Sequence, residues 1–278
     1  MTVLTFSGLL LIISYFAGML GAIAGLGGGV VIIPALVLLF HVNIFYAMGA
    51  ALVSVMVTSS GAAVAYLREG YTNLRIGMLL ETGAVAGALI GVMLVKHLSA
   101  SVTATLFGLV LFVSSYLTWR RKENTDTDRP SHPWAIALKL DADYLTANGR
   151  KPYHVQHVPL AWIIMVMAGI FASILGIGAG ALKVLSMDQA MRLPYKVSSA
   201  TSNFLIGITA AVSAGVYFSR GYIDPVLCFP VAIGVFFGAI NGANILNRAP
   251  VKSLRIIFSL IIFLLGIEMF YKGLTGGL

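Results

Sequence analysis

The sequence contains two glycine-rich breaks within hydrophobic stretches, and these breaks restrict the possible fold more than any other feature. "GLGGGVVIIP" occupies residues 25–34, and "GIGAGALKVL" occupies residues 176–185. The flanking hydrophobic stretches reach the length of about 20 residues that a membrane-spanning helix needs. At membrane depth, an interrupted helix backbone is tolerated only where protein or a water-lined cavity surrounds it. The breaks therefore predict a multi-pass membrane protein with a buried site.

The composition supports a membrane protein and excludes an ordinary soluble domain. Apolar residues make up 59% of the chain, charged residues only 10%, and the mean hydropathy is +0.94. The formal net charge of +8 is scattered over short loops, which favours the lipid bilayer surface over nucleic acid as a partner. Cys228 is the single cysteine, so an internal disulfide and a cysteine metal cluster are excluded.

The chain matches itself without gaps at one offset. Gly18 and Gly25 fall on Gly169 and Gly176, 151 residues later, and the same offset aligns rarer residue pairs of Tyr and Thr. Repeated halves are a common transporter architecture. We therefore predict a first transmembrane repeat over 1–119, a linker over 120–158 and a second repeat over 159–278.

Each repeat contains five hydrophobic segments. The second segment of the first repeat, residues 29–40, is roughly 18 Å long as a helix, too short for a ~30 Å hydrocarbon core. The first two segments therefore form either a broken pair or a re-entrant hairpin. The predicted fold class is all-α: a polytopic membrane protein with two inverted repeats and about 8 to 10 transmembrane segments, including broken or re-entrant helices.

The basic residues favour one topology. If each repeat crosses an odd number of times, one side receives fourteen of the eighteen Lys and Arg residues, and the other receives Lys96, Arg220 and Lys272. The positive-inside rule then predicts inverted repeats in the cell membrane, a cytoplasmic linker and both termini outside. The eighteenth basic residue, Lys183, lies within a hydrophobic segment.

The two breaks suggest one shared site for an anion. Glycine allows left-handed backbone and close approach of a ligand. Half-helices that begin near Gly29 and Gly180 direct free N–H groups and a positive dipole end towards one place. A dinucleotide-binding loop is excluded because Val30 stands where the G-x-G-x-x-G pattern needs glycine.

Close helix packing is the alternative role for glycine in a membrane protein. We assign that role to Gly83, Gly87 and Gly91 and to their copies in the second repeat, because their spacing places them on one face of a helix.

Lys183 strengthens the anion hypothesis. An ammonium group in a membrane segment is costly and usually functional. Lys183 follows Gly180 by three residues, so it is placed to help hold an anion at the start of the half-helix. The alternatives are a snorkelling lysine or a structural ion pair with Asp188. The equivalent residue in the first repeat is Ile32, so the site is asymmetric.

Other polar residues offer further candidates. The run "SSATSNF" supplies Thr201, Ser202 and Asn203, whose side chains either bind an oxyanion or serve only helix capping and packing. Glu81 and Glu268 are carboxylates in membrane segments near helix ends. They either carry a coupling proton or remain solvated at the helix ends.

The motifs resemble the sulfite exporter family (TauE/SafE). The resemblance rests on "GLGGGVVIIPAL", "GIGAGALKVLSM", "LPYKVSSATSNFLIG" and "AGVYFSRGYIDP", and it covers nearly the whole chain apart from the linker. Two positions depart from the pattern: Ala179 interrupts the second glycine triplet, and Leu185 replaces the second proline. The resemblance implies a two-repeat transporter that exports sulfite, organosulfonates or related sulfur-containing anions.

We therefore predict a secondary transporter, not an enzyme, with a small anionic substrate and without cofactor or metal. No ATP-binding or zinc-protease motif is present. The alternatives are a membrane-embedded enzyme and an accessory protein that binds a partner through the linker. Pro34 is the candidate helix-breaking residue. The candidate substrate-binding residues are Gly25, Gly27, Gly28, Gly29, Gly176, Gly178, Gly180, Lys183, Thr201, Ser202 and Asn203.

Overall fold

A computed structural model describes residues 3–68, 70–95, 97–120, 130–146, 149–178, 180–248 and 251–276. Over these residues the chain is helical, with one small antiparallel hairpin of strands between the repeats. Short π-helical turns, Ala35–Leu39 and Ser186–Ala190, extend the two shortest helices of the repeats. The elements are α1 (Val3–Ala24), α2 (Gly29–Pro34), α3 (Ile44–Arg68), α4 (Leu74–Val95), α5 (Ala100–Arg120), α6 (Pro133–Ala137), β1 (Ala142–Thr146), β2 (Gly149–Tyr153), α7 (Val158–Leu175), α8 (Gly180–Leu185), α9 (Tyr195–Ser219), α10 (Pro225–Arg248) and α11 (Val251–Thr275).

The helices confirm an all-α polytopic membrane protein. Within the described ranges, α1, α3, α4, α7, α9 and α10 contain stretches long and apolar enough to cross a membrane. Helices α5 and α11 add 21 and 25 residues. The first repeat contains the five predicted segments as α1 to α5, and α2 with its π-helical turn ends at Leu39, one residue from the predicted end of the short second segment.

Polar residues in the loops set where several helices begin. The Asn43 side chain accepts a hydrogen bond from the Phe45 N–H at 3.0 Å, and Asp224 accepts one from the Val226 N–H at 2.8 Å. Such caps satisfy N–H groups that lack a partner in the first turn of a helix. The hydrophobic runs therefore start as helices directly after these polar residues.

The first two segments of each repeat fold back as a hairpin, which decides between the two alternatives predicted for them. In the first repeat, a Cβ added to Gly21 would lie 2.4 Å from the backbone of Gly27, and the rings of Phe6 and Phe40 pack with centroids 4.9 Å apart. In the second repeat, the His157 ring contacts the Ala190 carbonyl at 3.3 Å. The short segment of each hairpin therefore runs back towards the N-terminal end of the preceding long helix.

Each repeat packs one of its helices against a helix of the other repeat, and the 151-residue offset relates the two contacts. Helix α1 packs against α10 and its counterpart α7 packs against α4. A Cβ on Gly87 would lie 2.0 Å from the Val166 carbonyl oxygen, and a Cβ on Gly238 would lie 1.9 Å from that of Tyr15. These residue pairs are equivalent, because adding 151 to 15 and 87 gives 166 and 238. The packing role predicted for the glycines of α4 and α10 is confirmed.

Helices α3 and α9, which are equivalent in the two repeats, pack against each other at the centre and run antiparallel. The Tyr217 hydroxyl contacts the Met48 sulfur at 3.5 Å, and at the other end the Ser59 hydroxyl donates to the Phe204 carbonyl at 3.2 Å. A two-fold operation that relates two antiparallel helices has its axis perpendicular to them. At this contact the equivalent helices of the two predicted repeats therefore run in opposite directions.

The described part of the linker forms a small cap of α6, β1 and β2 that docks onto the helices. The Asn73 side-chain amide donates to the Leu140 carbonyl at 3.0 Å and to the Tyr153 hydroxyl at 2.8 Å. Burial raises the pKa of Tyr153 to about 12, so this hydroxyl stays protonated well into the alkaline range. The predicted linker thus contains a folded unit attached to the start of α4.

Candidate functional site

The tips of the two helical hairpins meet in the interior of the protein. A Cβ added to Gly180 would lie 2.5 Å from both the Gly25 carbonyl oxygen and the Leu26 Cα. The Ser202 hydroxyl lies 3.0 Å from the Gly25 oxygen and 3.4 Å from the Gly180 oxygen, so its single hydrogen is within reach of both tips. The structure therefore brings the two predicted breaks into one place, against helix α9.

Both tips need glycine for conformational reasons. Gly25 and Gly27 have φ values of 73° and 77°, and Gly176 and Gly178 have values of 67° and 68°. This left-handed region costs other residues about 1–2 kcal/mol. The backbone reverses direction here because glycine permits it, and α2 and α8 begin directly afterwards.

Several buried polar side chains at the tips lack a hydrogen-bond partner among the residues that the structure describes. The Ser199 hydroxyl lies 2.7 Å from the position of a Cβ on Gly25, and the Ser54 hydroxyl lies 2.7 Å from that of Gly28. An unpaired buried polar group normally costs stability unless it has a function or binds something. Two further unpaired atoms, Ser198 Oγ and Asn203 Oδ1, belong to the same stretch of α9.

The remaining candidates of the "SSATSNF" run differ in their contacts. The Asn203 side-chain amide donates to the Ala22 carbonyl at 2.8 Å, which attaches α9 to the last turn of α1. Thr201 instead accepts a hydrogen bond from the Asn73 N–H at 3.1 Å, in the loop before α4. Ser202 and Asn203 therefore contact the first hairpin near its tip, and the Thr201 hydroxyl contacts the loop beneath the cap.

Pro34 is not the point at which the backbone breaks. It lies inside a continuous helical stretch, where α2 passes into its π-helical turn. The second repeat has the same turn after Leu185, without a proline. The break lies at Gly25–Gly28 instead, where the positive φ values are found.

Lys183 forms a buried ion pair with Glu81. Its Nζ lies 2.9 Å from Glu81 Oε2 and 3.2 Å from the Leu205 carbonyl oxygen, and it also donates to the Thr209 hydroxyl. Thr209 in turn donates to Glu81 Oε1. The relative exposures of Lys183 and Thr209 are 0%, and that of Glu81 is 4%. Helices α4, α8 and α9 thus meet at a polar cluster in a hydrophobic interior.

This cluster corrects two expectations drawn from the sequence. The partner proposed for a structural Lys183 was Asp188, whereas the ammonium bonds to Glu81. Glu81 was expected either to carry a coupling proton or to be solvated near a helix end, and its burial within α4 contradicts the second alternative. The available signal was that a lysine in a membrane segment needs a partner, and Glu81 was one of two carboxylates placed in such segments.

The second carboxylate, Glu268, is exposed on α11. Within the described ranges, no three His, Cys, Asp or Glu side chains come together as a metal site. The ion pair and the hairpin tips are the buried polar features that include the residues predicted from the sequence.

Comparison with known proteins agrees with this architecture. The family described as "Sulfite exporter TauE/SafE" matches residues 10–269. The "Probable membrane transporter protein YunE" of Bacillus subtilis (strain 168) is 24% identical, with 96% of this chain and 98% of the relative aligned. The "Probable membrane transporter protein YdhB" of the same organism is 27% identical over 87% of this chain and 91% of the relative. No solved structure matches the chain. Because the match extends over nearly the whole sequence, the chain belongs to the sulfite exporter TauE/SafE family.

Proposed function

We propose that this membrane transporter carries a small sulfur-containing anion, such as sulfite or an organosulfonate, as a secondary exporter in the cell membrane. The observation that carries the proposal is the meeting of two glycine-rich hairpin tips beside buried serine hydroxyls that lack a partner among the described residues. Hydroxyl groups and the N–H groups at the start of half-helices are donors, as an oxyanion requires.

Two features make the tips the favoured place for the substrate. Non-helical backbone is tolerated at membrane depth where protein encloses it or a cavity is lined by it. In repeated transporter folds, substrates bind where discontinuous helices of the two repeats meet. Ser54 and Ser199 supply hydroxyls on the two central helices, and Lys183 supplies a positive charge one turn into α8.

The transport mechanism that fits this arrangement is alternating access by inverted repeats. The antiparallel course of α3 and α9 supports inversion, as does the distribution of basic residues. In this proposal one hairpin opens the site to each side of the membrane, the linker cap is cytoplasmic, and both termini lie outside.

Serine variants test the substrate and its site together. Ser199→Ala and Ser54→Ala should each lower the affinity for labelled sulfite roughly tenfold or more in proteoliposome uptake, because each removes a hydrogen bond to a charged ligand. Their thermal unfolding temperature should stay equal or rise, since each change removes an unpaired buried hydroxyl.

Ser60→Ala is the matched control, because its exposed hydroxyl bonds only to the Met56 carbonyl of its own helix, within the described contacts. It should take up sulfite like the wild type. Wild-type sulfite affinity in both Ser199→Ala and Ser54→Ala would contradict the proposed site.

Cysteine labelling tests the topology. In a Cys228→Ala background, Lys139→Cys in the cap should be protected from a membrane-impermeant maleimide in intact cells and become reactive after lysis. Thr275→Cys at the end of α11 should react in intact cells. Reaction at residue 139 from outside would exclude a cytoplasmic linker.

A further inference from the structure

The buried ammonium of Lys183 has no hydrogen left to offer a substrate in this conformation. An ammonium has three N–H donors. They are matched by three acceptors: Glu81 Oε2, the Leu205 carbonyl oxygen and the Thr209 hydroxyl. An anion can therefore bind to Lys183 only by displacing one of these acceptors. Glu81 is the acceptor that an anion most closely resembles in charge and geometry.

Displacing Glu81 as a carboxylate is costly. Two negative groups would then face one ammonium in a site of almost no solvent exposure. Charges in such surroundings are tolerated when they are paired, and an unpaired carboxylate neutralises by taking up a proton. The uptake of one proton by Glu81 keeps the net charge of the site unchanged when the anion arrives.

We propose that Glu81 is the proton-coupling residue of the transporter, and that each anion bound at Lys183 is accompanied by one proton on Glu81. The inference rests on the proposed function and adds the coupling ion. On one side of the membrane, Glu81 takes a proton from water and releases Lys183 to the anion. On the other side, the anion leaves, Glu81 returns its proton to water, and the ion pair with Lys183 re-forms. No bond of the substrate is made or broken.

Lys183 lies close to the hairpin tips, where the substrate is proposed to bind. Ser202, whose hydroxyl is within reach of both tips, and Leu205, which accepts a bond from Lys183, lie one helical turn apart on α9. Helix α8, which carries Lys183, begins at the tip residue Gly180. An anion held at the tips is therefore one turn of helix from the ammonium.

Other ionisable groups on the packed elements are farther along their helices. Arg75 precedes Glu81 by six residues, about 9 Å along α4, and Tyr217 follows Thr209 by eight residues, about 12 Å along α9. Lys196 is about 20 Å along α9 from Thr209. Asp188 lies in the π-helical turn beyond α8, and His157 lies directly before the first residue of α7. Glu81 is thus the carboxylate in direct contact with the ammonium.

Proteoliposomes with the membrane potential clamped to zero test the coupling. A gradient of about one pH unit should drive the wild type to accumulate labelled sulfite about tenfold at one proton per anion, because one pH unit is a tenfold ratio of proton activity. Glu81→Gln keeps the size of the side chain and an acceptor for Lys183 but cannot exchange a proton. It should lose this accumulation and retain exchange of internal for external sulfite.

Glu268→Gln is the matched control, because Glu268 is an exposed carboxylate in α11. It should accumulate sulfite like the wild type. Vesicles without protein measure the passive leak of sulfite across the membrane. A second measurement does not depend on the variant folding: addition of sulfite to wild-type protein in weakly buffered detergent solution should take up about one proton per anion bound.

The outcomes separate the two proposals. Full pH-driven accumulation by Glu81→Gln would overturn the role of Glu81 and would indicate that the proton travels on the substrate. Sulfite binding without proton uptake by the wild type would also overturn it, and both results would leave sulfite transport intact. A wild-type protein that neither exchanges nor accumulates sulfite would refute the proposed function, and the coupling with it.

Discussion

Two equivalent threonines have opposite surroundings. Thr58 of α3 and Thr209 of α9 are 151 residues apart, and both are fully buried. The Thr58 hydroxyl donates to the Ser54 carbonyl of its own helix at 2.8 Å and accepts the Gly28 N–H at 3.3 Å. It therefore holds the tip of the first hairpin through neutral hydrogen bonds.

In the second repeat, the corresponding hydroxyl belongs to an ion pair. Lys183 bonds to the Leu205 carbonyl, the position equivalent to Ser54, and Thr209 turns to the Glu81 carboxylate. At the equivalent place around Thr58, Ile32 of the first repeat stands for Lys183, and Ala232 of the second repeat stands for Glu81. The repeat thus preserves the backbone framework, while a few substitutions place charge on one side only.

The largest expected effect comes from removing one charge of the pair. Glu81→Ala leaves a buried ammonium without its counter-ion and should lower the free energy of unfolding by about 3–5 kcal/mol. The double variant Glu81→Ala/Lys183→Ile copies the equivalent apolar residues, Ala232 and Ile32, and should recover much of that loss. Thermal unfolding in detergent measures both variants. A double variant as unstable as the single one would show that the surroundings of Thr209 cannot be replaced by those of Thr58.

The two threonines themselves should differ by a smaller amount. Thr209→Val removes hydrogen bonds to charged groups, worth about 1.5–3 kcal/mol, whereas Thr58→Val removes neutral bonds worth about 0.5–1.5 kcal/mol. The unfolding temperature should therefore fall further for Thr209→Val. Equal shifts would mean that the ion pair does not depend on its hydroxyl.

The smallest difference is expected at the glycines. Gly27→Ala and Gly178→Ala each place a side chain at positive φ, at a cost of about 1–2 kcal/mol. The new methyl group meets Ile206 Cδ1 and Val55 Cγ2 at 3.1 Å for Gly27 and Val55 Cγ1 at 2.8 Å for Gly178, so a small shift of Val55 accompanies both changes. Thermal unfolding should show similar losses for the two variants, and a clear inequality would reveal an asymmetry of the tips themselves.

The sequence was sufficient for the segments, because hydrophobic runs, glycine and polar caps act locally. The breaks at Gly25 and Gly176 were predictable for the same reason. The partner of Lys183 was not, since Glu81 lies 102 residues earlier and only tertiary packing joins α4 to α8. The contact of Thr201 with the Asn73 loop likewise depends on how α9 turns against α4, which no local pattern records.

The single hydroxyl of Ser202 has a consequence for movement of the hairpins. A hydroxyl has one hydrogen, but two carbonyl oxygens lie within reach, at 3.0 Å on Gly25 and 3.4 Å on Gly180. In the proposed alternating-access cycle, rotation about the Cβ–Oγ bond would pass this hydrogen from one tip to the other as the tips separate. The Ser202 hydroxyl then keeps one hydrogen bond, either to the Gly25 carbonyl or to the Gly180 carbonyl. Separation of the hairpins would therefore weaken one of these bonds while the other strengthens.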